Sequence, residues 1–384
     1  MKYSGSIRSK LPRSGESIFA VMAKLAVEEN ALNLSQGFPD FDISNELIDL
    51  VNYYMKKGHN QYAPMPGVPA LREAISKKVE QDHGIFYDPD KEINITAGAT
   101  QALYTAIAAF VKDDDEVIVF DPAYDAYTPA VKVNGGTVKH AQMEMPDYKI
   151  NWQKVARLVT NHTRMIVINT PHNPTGAVLE EDDLLQLEKL TANTDILILS
   201  DEVYEHLIFD NEQHQSVCRF PGLAKRSLAI GSFGKTFHAT GWKIGYVLAP
   251  ENLMNEFRKV HQWVVFAVNT PIQMAMAEYL KNENTYKSLP AFYQKKRDSF
   301  VDLIKDSRFK IIPSHGTYFQ CLDYSAISDE QDMDYAKRLV NEQKIASIPL
   351  SPFFRDGRDD KILRFCFAKK EETLKKAAEI LCKI

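Results

Sequence analysis

Between residues 93 and 250, short β-branched runs alternate with longer helical patterns, and this alternation constrains the fold more than any other feature of the chain. The runs are Ile93–Thr96, Glu116–Phe120, Thr137–Gln142, Arg164–Thr170, Asp195–Ser200, Ser227–Ser232 and Ile244–Ala249. Segments such as MIVIN and ILILS are apolar at both alternating positions. That suits a parallel strand covered by helices on both faces. Helical stretches such as Gln101–Val111 and Glu180–Leu190 separate many of the runs. The expectation is an α/β layer domain built on a mostly parallel sheet flanked by helices. After residue 250 the texture changes to a few strands and helices, among them a charged helical pattern from about Pro290 to Lys305. This reads as a smaller α+β domain. The first forty residues are too few and too polar to fold alone and are expected to pack on it. The expected domains are 45–285 for the large unit, and 1–44 with 286–384 for the small one.

Composition excludes several classes. The 384 residues carry a net charge of −5, so no basic excess offers a nucleic-acid or anionic-membrane surface. No apolar run approaches the roughly 20 residues that span a bilayer. Cys218, Cys321, Cys366 and Cys382 are far apart and form no C-x-x-C pair, which argues against a disulfide framework or a structural zinc site. The polar N-terminus lacks the apolar core of a signal peptide. Free thiols and no export signal predict a cytoplasmic protein, with no metal, nucleic-acid or membrane partner.

The most informative segment is Ser232-Phe-Gly-Lys235-Thr-Phe-His-Ala-Thr-Gly241-Trp-Lys243-Ile-Gly245. It follows the strand-like SLAIGS, so Lys235 falls just past a strand end, where α/β sheets place ligands. A lysine there is commonly a solvated loop cation. Here Ser232 adds a hydroxyl, Lys243 a second cation, and three glycines allow backbone to approach a ligand. Two amines converging on one pocket repel, which lowers a pKa and makes nitrogen nucleophilic. Gly98-Ala99-Thr100 leads from a strand directly into a helix. Its amides and the Thr100 hydroxyl offer an anion site that Ser232 and Lys243 would complete. Small residues also begin many helices without binding anything. Arg364, flanked by apolar residues in Lys361-Ile-Leu-Arg364-Phe-Cys-Phe-Ala368, must be either paired or ligand-facing.

The pattern S-x-x-K followed by G-W-K-x-G resembles the lysine motif of the fold-type I, pyridoxal 5'-phosphate-dependent aminotransferases of class I/II. Other segments resemble the same family in family order, from SQGFPDF to RFCFAKK. Their wording is most similar to its methionine and kynurenine–glutamine aminotransferase branch.

The resemblance implies a fold of a seven-stranded, mostly parallel sheet plus a small domain, with pyridoxal 5'-phosphate as cofactor. It makes Lys235 the residue that holds the coenzyme, and Asp201, in Ser200-Asp-Glu-Val-Tyr204, the partner of its ring nitrogen. An Asp at a strand end also serves as a helix N-cap. Tyr204 and Asn173, the latter in Asn169-Thr-Pro-His-Asn173-Pro-Thr-Gly176, would contact the coenzyme's phenolic oxygen. Tyr124 would stack on its ring, and Gly98, Ala99, Thr100, Ser232 and Lys243 would hold its phosphate. Many relatives carry Arg at the Lys243 position, so the fork of a guanidinium is missing here. Tyr62, in Asn60-Gln-Tyr62-Ala-Pro-Met-Pro-Gly67, would cross to a partner's phosphate in a homodimer. Arg364 and Gly37 would bind the substrate carboxylate, Asn173 would contact the substrate as well as the coenzyme, and Phe19 and Phe266 would wall the side-chain pocket.

The implied reaction moves an amino group from a hydrophobic or aromatic amino acid (methionine, Phe, Tyr, Trp or kynurenine) to a 2-oxo acid by a ping-pong mechanism. A cysteine-conjugate β-lyase on the same fold is the alternative. A non-catalytic regulator with this body is more remote, since the chain has neither spare length nor a basic arm.

Overall fold

A computed structural model describes residues 1, 3–12 and 14–384; positions 2 and 13, within the segment assigned above to the small domain, lie outside the described residues. In chain order the strands are β1 (Leu32–Asn33), β2 (Ile93–Thr96), β3 (Glu116–Asp121), β4 (Thr137–Gln142), β5 (Thr163–Asn169), β6 (Leu197–Asp201), β7 (Ser227–Ser232) and β8 (Gly245–Leu248). They continue with β9 (Lys310–Ile311), β10 (Phe319–Asp323), β11 (Ile345–Ala346), β12 (Ile348–Pro349) and β13 (Ile362–Cys366).

The large sheet has seven strands in the order β2-β8-β7-β6-β5-β3-β4. Strands β3 to β7 pair in parallel, and β8 runs antiparallel to both β2 and β7. The fold is therefore α/β with a mostly parallel sheet, as expected. Alternate residues of each strand serve two cores. Val117, Val119, Val167, Leu199 and Ile230 face one that includes Leu103, Ile107 and Phe257, while Ile118, Ile166, Ile168 and Ile198 face the other. Burial on both sides explains why the strands read as unbroken apolar runs. Each such side chain contributes about 1.5–3 kcal/mol by leaving water.

The C-terminal ends of β2, β5, β6 and β7 lie along one edge of the sheet, together with the start of β8. Thr96 and Ser232 both pair with Gly245, and Asn169 pairs with Asp201. Ligands of open α/β sheets bind at this edge. The C-terminal part of the chain forms a second, antiparallel sheet in the order β12-β13-β10-β9. The N-terminal segment packs with this part of the chain: β1 pairs with β11 in a separate two-stranded sheet, and the Cys366 amide donates to the Leu34 carbonyl at 2.8 Å. Helix α1 (Ile18–Glu28), capped by the Ser17 hydroxyl on the Ala20 amide, packs Met22 and Ala26 inward. No helix among the described residues is long and apolar enough to cross a membrane. All four cysteines are free.

Candidate active site

One cavity of about 170 Å³ sits at the strand-end edge. Gly98, Ala99, Thr100, Tyr124, Asn173, Asp201, Tyr204, Ser232, Lys235 and Lys243 all line it, brought together from six segments of the chain. The sheet explains the convergence. Each of β2, β5, β6 and β7 delivers its next residues to the same rim.

Lys235 follows β7 on a single helical turn, Phe233–Thr236. Burial, more than neighbouring charge, draws its amine down to about 8; Arg364 and Lys243 push the same way, against Cys366 and Asp201. Lys243 is thus a lesser cause than the sequence alone implies. Asp201 ends β6, and no helix starts there for it to cap. The Tyr127 hydroxyl donates to Asp201 Oδ2 at 2.6 Å. Burial nevertheless raises the carboxyl to about 6, with Tyr127 and the Val203 amide holding it lower than burial alone would. A buried acid whose donors are one hydroxyl at 2.6 Å and one backbone amide at 3.4 Å, lining a cavity, has room for a cationic partner.

The anion end is built around a glycine. Gly98 precedes helix α2 (Ala99–Phe110) with φ 77° and ψ 170°, a conformation nearly reserved for glycine. A Cβ on Gly98 would lie 3.1–3.2 Å from the end of the Lys243 side chain. A Cβ on Gly245 would lie 3.1 Å from the Ala99 nitrogen. These two absences let a lysine and a helix N-terminus share one small volume. Unpaired first-turn amides and a cation suit a phosphate. Lys243 itself adopts φ 54°, unusual for a side-chain-bearing residue.

The Asn169-to-Gly176 loop is stitched by its first asparagine. Asn169 Nδ2 donates to the Asp201 carbonyl at 2.8 Å, and its Oδ1 accepts from the Asn173 amide at 2.8 Å. Asn173 Oδ1 in turn accepts from Arg364 Nη1 at 2.7 Å. Arg364 lies in the middle of β13, is wholly buried, and donates from Nη2 to the Ser35 carbonyl at 3.0 Å. Its Nε has no partner, and among the described residues it makes no salt bridge. The guanidinium carbon sits 3.8 Å from the Phe319 ring centre, 5.2 Å from Phe19 and 5.9 Å from Phe353. Gly37 meets the site through its carbonyl, which accepts from Lys235 Nζ at 3.3 Å.

Tyr62 and Phe266 stand apart. Their rings meet edge-on at 5.3 Å on the surface, 82% and 55% exposed, and neither lines the cavity of its own chain. Three residues that touch the site went unnoticed in the sequence. Tyr127 differs from Tyr124 only by one turn of chain, and Asn169 reads as a turn former. Tyr318 gives no local sign at all.

The family described as aminotransferase class I and II matches residues 29–381. The chain is a class I and II aminotransferase. Members of this family depend on pyridoxal 5'-phosphate, and the cavity fits it, with a depressed amine, a buried acid and a phosphate-sized cradle. The aminotransferase is 48% identical over 375 residues to the methionine aminotransferase of Escherichia coli K12, covering 97% of each chain. The solved structure of YbdL from Escherichia coli, for which a methionine aminotransferase function is described, superposes with a TM-score of 0.96 at 47% identity, over 99% of this chain and 100% of that one. Human kynurenine–oxoglutarate transaminase 1 is 33% identical over 395 residues, 94% of each chain.

Proposed function

We propose that this aminotransferase takes methionine or an aromatic amino acid (Phe, Tyr, Trp or kynurenine) as donor and passes the amino group to a 2-oxo acid. One observation carries the reading: Arg364, buried and without a carboxylate partner among the described residues, donates only to the neutral Asn173 and Ser35 oxygens and lies among the rings of Phe19, Phe319 and Phe353. A free α-carboxylate satisfies the cation, while Phe19, Phe319 and Phe353 favour an apolar side chain next to it. The names of the relatives, methionine aminotransferase and kynurenine–oxoglutarate transaminase, support the same donors. In a panel of amino acids with a fixed oxo-acid acceptor, kcat/KM for methionine and the aromatic donors should exceed that for aspartate and glutamate at least about tenfold. A dicarboxylate preference would defeat the proposal.

The roles follow from position. Pyridoxal 5'-phosphate supplies an aldehyde that captures the amino group and a ring that takes up the electron pair left when the Cα proton departs. Lys235 holds the coenzyme between turnovers, and its freed Nζ takes and returns the Cα proton. Asp201, oriented by Tyr127, would pair with the ring nitrogen. Tyr204 and Asn173 would donate to the ring oxygen, and Tyr124 would pack on the ring. The amides of Ala99 and Thr100, with Gly98, Ser232 and Lys243, receive the phosphate. Arg364 and the Gly37 amide would orient the substrate carboxylate, and Phe19 would wall the side-chain pocket.

The same reading divides the chain into 45–285 and 1–44 with 286–384, and places it in the cytoplasm as a homodimer. The exposed rings of Tyr62 and Phe266, on segments tied by the Thr270 hydroxyl to the Gln61 carbonyl at 2.6 Å, and of Trp263, in the last turn of the helix Glu251–Val264, support a partner-facing surface. There Tyr62 would reach the neighbour's phosphate and Phe266 the neighbour's substrate pocket. A Trp263→Glu, Phe266→Glu double variant should sediment as a monomer and lose coenzyme on dialysis. A monomer that keeps its coenzyme and full activity would contradict shared sites.

A further inference from the structure

Tyr318 is wholly buried at the turn into β10, where the preceding Thr317 holds φ 67°. Its ring packs edge-on against Tyr204 at 5.2 Å and Phe319 at 4.9 Å. Packing accounts for the ring but not for the hydroxyl, which must find partners once buried. It donates to the Gly37 carbonyl at 2.5 Å and accepts from Lys235 Nζ at 3.1 Å. Lys235 donates to the same Gly37 carbonyl at 3.3 Å, so the three groups close a triangle.

Proton counting fixes the directions within it. A carbonyl has no proton to give, so the single phenol O–H goes to Gly37, and Tyr318 Oη turns only lone pairs toward Lys235. A neutral primary amine has two N–H bonds and one lone pair. With both N–H bonds committed to Gly37 and Tyr318, the lone pair must point away from them. Neither of those residues lines the cavity, whereas Lys235 does. The lone pair therefore faces the cavity.

We propose that Tyr318 is a positioning residue for the proton transfer, fixing the rotation of the freed Lys235 amine so that its lone pair meets the substrate Cα–H. The inference rests on Lys235 being the coenzyme-bearing lysine. The proton leaves Cα for Nζ, its bonding pair stays behind with the coenzyme, and the new N–H, the only one not already committed, delivers the proton onward. An unconstrained amine would have to find this orientation by rotation in each turnover, and misplacement of a reacting atom is expensive in rate.

Tyr318→Phe removes the oxygen and keeps the ring. In single-turnover reactions with L-methionine it should slow the half-reaction at least about tenfold at unchanged KM. The isotope effect with α-deuterated methionine should rise as proton transfer becomes the slow step. A second reading uses coenzyme-stripped protein, with carbamylation of Lys235 by cyanate followed against pH through peptide mapping. Arg364, Lys243, Asp201, Cys366, Tyr204 and Tyr318 face that amine. Losing the Tyr318 acceptor should lower the midpoint, because the ammonium form loses a hydrogen bond. A half-reaction within twofold of the parent with the same isotope effect, or an unmoved carbamylation midpoint, overturns the role. Borohydride reduction of the loaded parent separates the two layers. An adduct away from Lys235 removes the coenzyme-lysine reading, whereas an adduct on Lys235 with parental kinetics in the variant removes only Tyr318.

Discussion

A Lys235→Ala variant should transaminate at least about 10⁴-fold more slowly than the parent, which is the upper range for removing a positioned acid–base group. In the proposed function the side chain does two jobs, covalent retention and proton transfer, and no neighbour is placed to replace it. Lys243 is the one other lysine lining the cavity among the described residues. It is committed to the opposite end, its amine close against Gly98. A water in the vacated space lacks the basicity of an amine brought by burial to about 8. The variant should still bind the coenzyme through the phosphate cradle, but borohydride should leave no adduct on the protein. Small primary amines added to the buffer should restore part of the rate, since they supply the missing base and fit where the side chain was. Parental turnover without added amines would end the assignment.

What the sequence discloses about this site follows a physical boundary. Residues whose role depends on the end of a strand and the next few positions are legible, because strand ends and turn formers are local signals. Lys235 after SLAIGS, Asp201 after DILILS and Gly98 before a helix all belong to this class. Arg364 is legible by half. Its apolar flanks show that it is buried, but its partners, Asn173 and the Ser35 carbonyl, lie 191 and 329 positions away. Tyr127 and Tyr318 belong to the illegible class, since each acts on a residue 74 or 83 positions distant and neither carries a motif of its own. The direction of β8 is also silent in its residues. GYVL is apolar on both faces just like the parallel strands of the sheet, so only the pairing with β2 and β7 shows that it runs the other way.

Asp201→Asn should separate activity from stability. The amide keeps an oxygen for the Tyr127 hydroxyl, so the geometry survives while the charge is lost. A neutral amide does not hold a proton on the coenzyme's ring nitrogen, and kcat should fall about 10²–10³-fold, as when one preorganised electrostatic partner is removed. The unloaded protein should respond with the opposite sign. In the fold the carboxyl titrates at about 6 rather than 3.8, because burial disfavours its charge. The folded state thus binds the proton more tightly than the unfolded chain, and ionisation of Asp201 costs stability. That penalty is absent below about pH 3.8, grows between there and about pH 6, and is fully present above, at most about 3 kcal/mol. Asparagine never ionises and escapes it. Coenzyme-stripped Asp201→Asn protein should therefore resist urea better than the stripped parent at pH 8, with the two converging towards pH 4. Loading pyridoxal 5'-phosphate should reverse the order, since only the parent gains an ion pair with the ring. If the stripped variant is the weaker of the two at pH 8, the carboxylate is satisfied within the protein itself and has no vacancy for a cationic partner.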